Sequence, residues 1–273
     1  MHDQDPVAER EPAVALAWSE SFANASKVET PVFSMWLPTG ISAALGLSQK
    51  PENELVLGPD GSYPIGLIRR QSGGGAVLLY QGVVCWEAFA SIGMIENVYG
   101  KDAGIRSAYD FLSMPVVDGL KKIGLSAFRA GISDLSVRAA NDAGEIVRKI
   151  AGTAQYRRRE NVLVHGALLV HADIDEMSRY LSFPSSQPDY RADRSHRDFC
   201  ISIAELLKTP AGGEDVLMEK VSTSILAAAE AGGWDCKAIP EDPDDETQRL
   251  AQLKYRNPEW NWKKVRVQSG KGQ

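Results

Sequence analysis

Arg69-Arg70-Gln71-Ser72-Gly73-Gly74-Gly75-Ala76-Val77-Leu78-Leu79-Tyr80 decides how the rest of the chain reads. Two arginines, a hydroxyl and three consecutive glycines run straight into an apolar segment. That pattern describes a bare-backbone turn entering a buried strand, with charge held at its mouth. Glycine has no Cβ, so such a turn lets backbone N–H groups approach an anion closely. On its own a triple glycine marks a flexible turn more often than an anion cradle, so its meaning depends on the sequence around it.

Working outward, Ile65 to Arg70 and Ala76 to Tyr80 read as two strands of one hairpin with the glycine turn at its tip. Upstream, Val32 to Leu37 and Ser42 to Leu47 alternate as strands around Pro38-Thr39-Gly40, and the alanine-rich Ala13 to Ala25 reads as a helix ended before Pro31. Downstream, Tyr109, Leu112, Val116, Leu120 and Ile123 recur at helical spacing, which predicts a helix over 104–123 with a kink or break at Pro115. Leu135 to Val137 and Glu145 to Ile150 are strand candidates joined by Asn141-Asp142-Ala143-Gly144, a stretch with hairpin chemistry. Val162 to Val170 is a strongly apolar strand, and Asp173 caps a short helix reaching Leu181. Pro184 to Asp198 is polar and irregular, long enough that a compact domain keeps it for a purpose. Helices are expected over 201–207 and 216–231. The organisation expected is a disordered tail over 1–12, a main domain over 13–235, and a linker with a C-terminal extension over 236–273.

Composition excludes several function classes. The net charge of −6 argues against a surface devoted to nucleic acid. No apolar run approaches the ~18 residues of a membrane span, and Met1 to Glu11 lacks the order of a signal peptide, so a cytoplasmic location is expected. Cys85, Cys200 and Cys236 are odd in number and widely spaced, which fits reduced structural thiols and neither a disulfide framework nor a zinc site.

Two further stretches carry chemistry. In Arg148-Lys149-Ile150-Ala151-Gly152-Thr153-Ala154-Gln155 a lysine at a strand end enters a turn of small residues, which leaves room for a ligand against the backbone. In Val164-His165-Gly166-Ala167-Leu168-Leu169 a histidine and a glycine interrupt an otherwise apolar strand. A lone strand-end lysine is usually solvated, and a strand histidine is more often a satisfied core residue than a catalytic one.

Taken in order, the three motifs resemble those of the lipoate-protein ligases, within the wider group of biotin and lipoate ligases and octanoyltransferases. The family pattern runs Arg-Arg-x-Ser/Thr-Gly-Gly-Gly-x-Val, Lys-x-Ser/Ala-Gly-x-Ala and His-Gly-x-Leu-Leu. The resemblance extends to Leu45 to Lys50, to Ser133-Asp134-Leu135, to Pro188-Asp189-Tyr190-Arg191 with Arg194-Ser195-His196, and to Lys254-Tyr255 with Trp260-Asn261-Trp262, where many ligases open an accessory domain. It implies an α+β fold in which a mixed, largely antiparallel sheet carries flanking helices.

The activity implied is ATP-dependent conversion of lipoate or octanoate to an acyl-adenylate, followed by transfer to a lysine of a lipoyl domain. Acceptors of that kind are a 2-oxoacid dehydrogenase subunit or a glycine cleavage H protein, and a separate accessory subunit is a further partner the resemblance suggests. Lys149 would be the fixed cation between the two anions. The amides of Gly73, Gly74, Gly75 and Ala76 would contact acyl chain and adenylate. Arg70 and Arg69 would hold the ligand's polar end beside Ser72. Val77, Leu79 and Ala154 would line the acyl slot, flanked by Gly152 and Thr153. Asp134 would suit Mg²⁺ or simply cap its strand. His165 and Gly166 would close the pocket. Arg157-Arg158-Arg159 would steer an acidic acceptor domain.

One departure stands out. Typical ligases continue the glycine loop with a His-Asp pair and a Gly-Asn, where this chain has Leu79-Tyr80 and Gly82-Val83. An octanoyltransferase, which uses a cysteine thioester and no ATP, is therefore the principal rival, although neither family position for that cysteine holds one here. A non-catalytic relative that binds lipoyl domains is the reading from a different class.

Overall fold

The computed structural model describes residues 7–25, 27–141 and 144–264. In chain order, strand β1 (Glu9–Arg10) precedes helix α1 (Pro12–Asn24), then β2 (Val32–Pro38), β3 (Ser42–Leu45), the short α2 (Pro51–Glu54), β4 (Gly66–Arg69), β5 (Val77–Leu79) and β6 (Val83–Ser91). Helices α3 (Ile92–Tyr99), α4 (Ile105–Leu112) and α5 (Met114–Lys122) lead to β7 (Phe128–Ala130), β8 (Asp134–Asn141), β9 (Gly144–Arg158) and β10 (Asn161–Leu169). The chain then forms α6 (Ile174–Tyr180), α7 (His196–Phe199), α8 (Ile203–Leu207), α9 (Glu214–Ala231), β11 (Asp235–Cys236), α10 (Asp245–Leu250) and α11 (Pro258–Lys263).

The large sheet runs β1-β2-β6-β10-β9-β8-β7, with β11 also on β2, and its central ladders are antiparallel. All nine residues of β6 are buried, because this strand lies at the centre with both faces covered. One face packs on α1 and the small sheet through Leu16, Trp18, Cys85, Phe89 and Ala167. The other packs on α4, α5 and α9 through Leu112, Leu120, Val221 and Ile225. Among the described residues no helix is long and apolar enough to cross a membrane.

Three expectations need correction. The strands flanking the glycine turn do not pair with each other: β3 lies between them, parallel to β4 and antiparallel to β5. The compact Ala43-Ala44-Leu45 segment makes that central position, and the glycine turn crosses the end of β3. A Cβ on Gly46 would lie 2.1 Å from the Gly74 carbonyl oxygen, so only glycine allows the crossing. Next, Lys149 and the small residues after it are not a turn at a strand end but the middle of the long β9. The register slips between Leu135 and Ser136, whose partners are Ala151 and Lys149, so Ile150 is the extra residue of a bulge. A bulge there re-aims the lysine without ending the strand. Finally, Glu9 and Arg10 are not part of a free tail, since they pair with Leu37 and Pro38.

Other expectations hold with shifted bounds. The helix expected over 104–123 is two helices parted at Ser113, with Pro115 in the first turn of α5, where its missing N–H costs nothing. Asp173 caps α6 by accepting from the Asp175 N–H. Asn141 pairs with Gly144 across the expected hairpin, whose tip, Asp142-Ala143, lies outside the described residues, as does the basic tail after Lys264.

Candidate active site

Lys149 lies at the junction of two hollows. A slot of about 110 Å³ runs over the sheet and is lined by Val77, Leu79, Gly152, Ala154, His165 and Ala167, with Leu16, Trp36 and Cys85 farther in. An open cavity of about 950 Å³ adjoins it, bounded by the glycine loop, β7, β8 and the 182–200 segment. Gly75, Ala76, Val77, Asp134, Lys149 and Gly152 line both. Lys149 Nζ forms an ion pair with Asp134 Oδ1 at 2.7 Å, and Asp134 Oδ2 accepts from the Tyr190 hydroxyl at 2.7 Å. Burial pulls the lysine's pKa down, but the negative groups beside it, Asp134 first, outweigh this and leave it raised.

The glycine loop is held from below. Arg70 is buried; its Nη2 donates to the Gly73 and Gly75 carbonyls at 2.8 and 2.7 Å, its Nη1 to Ala44 at 2.7 Å and its Nε to Ser72 Oγ at 3.1 Å. Because those loop carbonyls turn toward the guanidinium, peptide planarity directs the N–H groups of Gly74 and Ala76 the other way. Ser72 Oγ lies 2.6 Å from His165 Nε2. Burial, and then Arg70, pulls the histidine's pKa down to about 3, so the ring is neutral at pH 7. Ser72 Oγ also accepts from Arg70 Nε, so the hydroxyl links the buried guanidinium to the neutral imidazole.

Arg69 points the opposite way. Its guanidinium, 1 % exposed with its residue, donates to the carbonyls of Trp260, Asn261, Gly46, Leu47 and Gln49 at 2.7 to 3.3 Å. Trp260 Nε1 returns a bond to the Arg69 carbonyl at 2.8 Å. Arg69 therefore clips α11 to the base of the glycine loop, whereas Arg70 lines the slot with its fork turned onto backbone carbonyls. Thr153 is also spent locally, donating through its hydroxyl to the Ser133 carbonyl. Gly166 sits over Trp86, in the slot wall.

The structure also brings in residues for which no role in the chemistry was expected. Cys200 forms a parallel bridge with Lys149, and the next N–H, of Ile201, donates to the Lys149 carbonyl at 2.9 Å. Cys200, expected as a structural thiol, lines the open cavity beside Tyr190, Arg191 and His196. Burial drives its thiol pKa up, opposed by Lys149 and Arg191. His196 is pulled down to about 4 by burial, Arg191 and Lys149. The signals for this group were the irregular 184–198 stretch, too long to be idle, and the resemblance that took in Tyr190, Arg191 and His196.

The donor set does not fit a protein-held Mg²⁺. Both Asp134 oxygens are engaged, and among the described residues no group of three or more His, Cys, Asp or Glu side chains is placed to hold a metal.

Similarities to known proteins agree with this geometry. Residues 11–230 match the family model described as the lipoyl protein ligase A/B catalytic domain. An octanoyltransferase LipM of Halalkalibacterium halodurans is 25 % identical over 278 residues, covering 94 % of this chain and 96 % of its own. That of Bacillus subtilis is 26 % identical, covering 93 % and 95 %. Among solved structures, one titled as a bi-partite lipoate protein ligase and its E2 lipoyl domain from Thermoplasma acidophilum superposes with a TM-score of 0.72 at 23 % identity, covering 98 % of this chain and all of that one. With the glycine loop, the lysine strand and the His-Gly strand assembled around one slot, this chain belongs to the lipoyl protein ligase A/B catalytic-domain family.

Proposed function

We propose that the chain moves an eight-carbon acyl group from a carrier thioester to a lysine of a lipoyl domain, by way of a thioester on Cys200. The observation that carries this reading is the placement of Cys200 beside Lys149, at the wall of the open cavity that adjoins the apolar slot. The octanoyltransferase names of the relatives support the same class of chemistry.

In the first step Cys200 Sγ bonds to the thioester carbonyl carbon, the carrier C–S bond breaks, and the thiol proton ends on the carrier sulfur. In the second, the acceptor lysine nitrogen bonds to the same carbon, the C–Sγ bond breaks, and an amine proton returns to Sγ. Both steps pass through an oxyanion. The Lys149 ammonium and the N–H groups of Gly74 and Ala76 are the donors disposed to meet it. Val77, Leu79, Ala154 and Ala167 give the acyl chain an apolar bed, where each methylene buried contributes about 0.8 kcal/mol. The larger cavity admits the carrier's arm first and the acceptor lysine next. The exposed Arg158 and Arg159 would steer an acidic acceptor domain. In this reading 13–235 is the catalytic body, and the segment after it is a clamp on the glycine loop.

ATP-dependent ligation is the second reading, favoured by the ordered motifs and the Asp134–Lys149 pair. Against it stand Arg69 and Arg70, spent on carbonyls, and Leu79 and Tyr80 in place of the polar pair. The test is incubation with octanoyl carrier protein followed by intact mass measurement. One octanoyl group is expected on Cys200, absent from Cys200→Ala, and chased onto an apo lipoyl domain. Lipoate-dependent pyrophosphate release with no adduct would overturn the thioester route in favour of ligation.

A further inference from the structure

Deep in the slot the sheet carries a row of polar residues with no counterpart in the chemistry above. Ser34 on β2, Glu87 on β6 and His165 on β10 are direct cross-strand partners, followed by Ala154 on β9. Glu87 and His165 line the slot, and Ser34 stands beside Glu87. His165 is satisfied by Ser72. Glu87 is 1 % exposed; its Oε1 accepts from Trp36 Nε1 at 3.3 Å, the Ser19 hydroxyl lies near the carboxyl but donates to the Ala15 carbonyl, and among the described residues Oε2 has no hydrogen-bond partner of normal geometry. The hydroxyl of Ser34, fully buried, has none among the described residues either. Two adjacent buried polar atoms left unpaired are costly, and a plain hydrocarbon chain in the slot would leave them so.

Their distance from the reacting end can be read from the register. Lys149 Nζ lies 3.0 Å from the Cβ position of Gly152. From Gly152 the pairing runs to Ala167 and then Cys85, and Glu87 is two residues farther along β6 on the same face. Two strand spacings across and two residues along amount to about 12 Å. The seven bonds of an extended eight-carbon acyl chain span about 9 Å, and contact at the carbonyl adds about 3 Å. Glu87 therefore stands where the last carbons of such a chain arrive.

We infer that Glu87, with Ser34 behind it, is a specificity determinant that reads a hydrogen-bonding heteroatom, sulfur or oxygen, on the distal carbons of the acyl group. This rests on the slot being the acyl site of the proposed reaction and adds which acyl group it prefers. A site built to hydrogen-bond a substrate group rejects the analogue lacking it, because its own polar atoms are then left unpaired.

The test is calorimetric titration of the whole chain with three free acids: octanoate, 8-hydroxyoctanoate and lipoate. The wild type is expected to bind 8-hydroxyoctanoate, lipoate or both at least about tenfold more tightly than octanoate. The two heteroatom acids separate an oxygen ligand from a sulfur one. Glu87→Leu is expected to abolish that ratio or reverse it, while Glu87→Gln, which still hydrogen-bonds, retains most of it. If Glu87→Leu does not fold, Ser34→Ala reads the same ratio with a smaller loss. Octanoate binding as tightly as both heteroatom acids in the wild type, or a ratio indifferent to all three substitutions, would overturn the inference. A preserved preference with no Cys200 adduct from a carrier loaded with octanoyl or with the preferred acyl group would instead refute the thioester route and leave the slot assignment standing.

Discussion

Lys149 and Cys200, fifty-one residues apart in sequence, are neighbours across a single parallel backbone bridge, closed by the Ile201 N–H on the Lys149 carbonyl at 2.9 Å. The lysine thereby keeps one charged partner, Asp134, and gains a thiol within its field.

That arrangement fixes the pH behaviour of the thiol. Burial holds the Cys200 pKa above that of an ordinary cysteine, so its alkylation by iodoacetamide should be slow at pH 7 and rise through alkaline pH. Removing the Asp134 charge by Asp134→Asn should move the profile to lower pH, and removing the cation by Lys149→Ala should move it higher. Peptide mass spectrometry across pH reads this, and coincident profiles for the three proteins would contradict the proposed geometry.

Arg69→Ala should destabilise the fold by roughly 3 kcal/mol, since it leaves several buried carbonyls without a donor. The loss should be local first. Proteolysis should cut within 256–264 before the sheet unfolds, because the Arg69 side chain supplies the bonds to the Trp260 and Asn261 carbonyls and leaves only its backbone bonds to Trp260 and Asn261 when removed. Uniform protection of that segment in the variant would show that the clip is unimportant.

Gly46→Ala places a methyl group against the Gly74 carbonyl oxygen. The glycine loop must shift, costing roughly 1–3 kcal/mol. Acyl loading should fall more than the melting temperature suggests, because Gly74 and Gly75 line the cavity where the chemistry is proposed. Unchanged loading would mean that the loop does not touch the reacting group.

Glu87 gives a stability signature. Burial raises its folded-state pKa to about 8, against an unfolded value near the ordinary 4.5. Between these values the unfolded chain releases a proton that the folded chain keeps, so the contribution is complete below pH 4.5 and is lost as pH rises through 8. Glu87→Gln has no such term and should gain on the wild type by roughly 2 kcal/mol or more from pH 5 to pH 8 in urea titrations. A constant difference across that range would show that Glu87 is ionised in the fold.

Much of this protein is set by local sequence. The apolar run of β6, the alternation of β2, the Asp173 cap and the position of Pro115 each depend on near neighbours, and each element formed within a few residues of where its pattern placed it. The ordered glycine, lysine and histidine motifs likewise carried the family, because they encode backbone that only certain residue types permit. Pairing and charge partnership depend on what lies across the sheet, and sequence is silent on that. Whether the glycine turn closed a hairpin was decided by β3 inserting between its strands. Where Arg69 pointed was decided by carbonyls about twenty and one hundred and ninety positions away, and Arg70 was held by the Ala44 carbonyl together with those of the glycine turn itself. The bulge at Ile150 aimed Lys149, and the return of the chain after α7 put Cys200 beside it. Such contacts are long-range, and their direction is fixed only when the sheet has assembled.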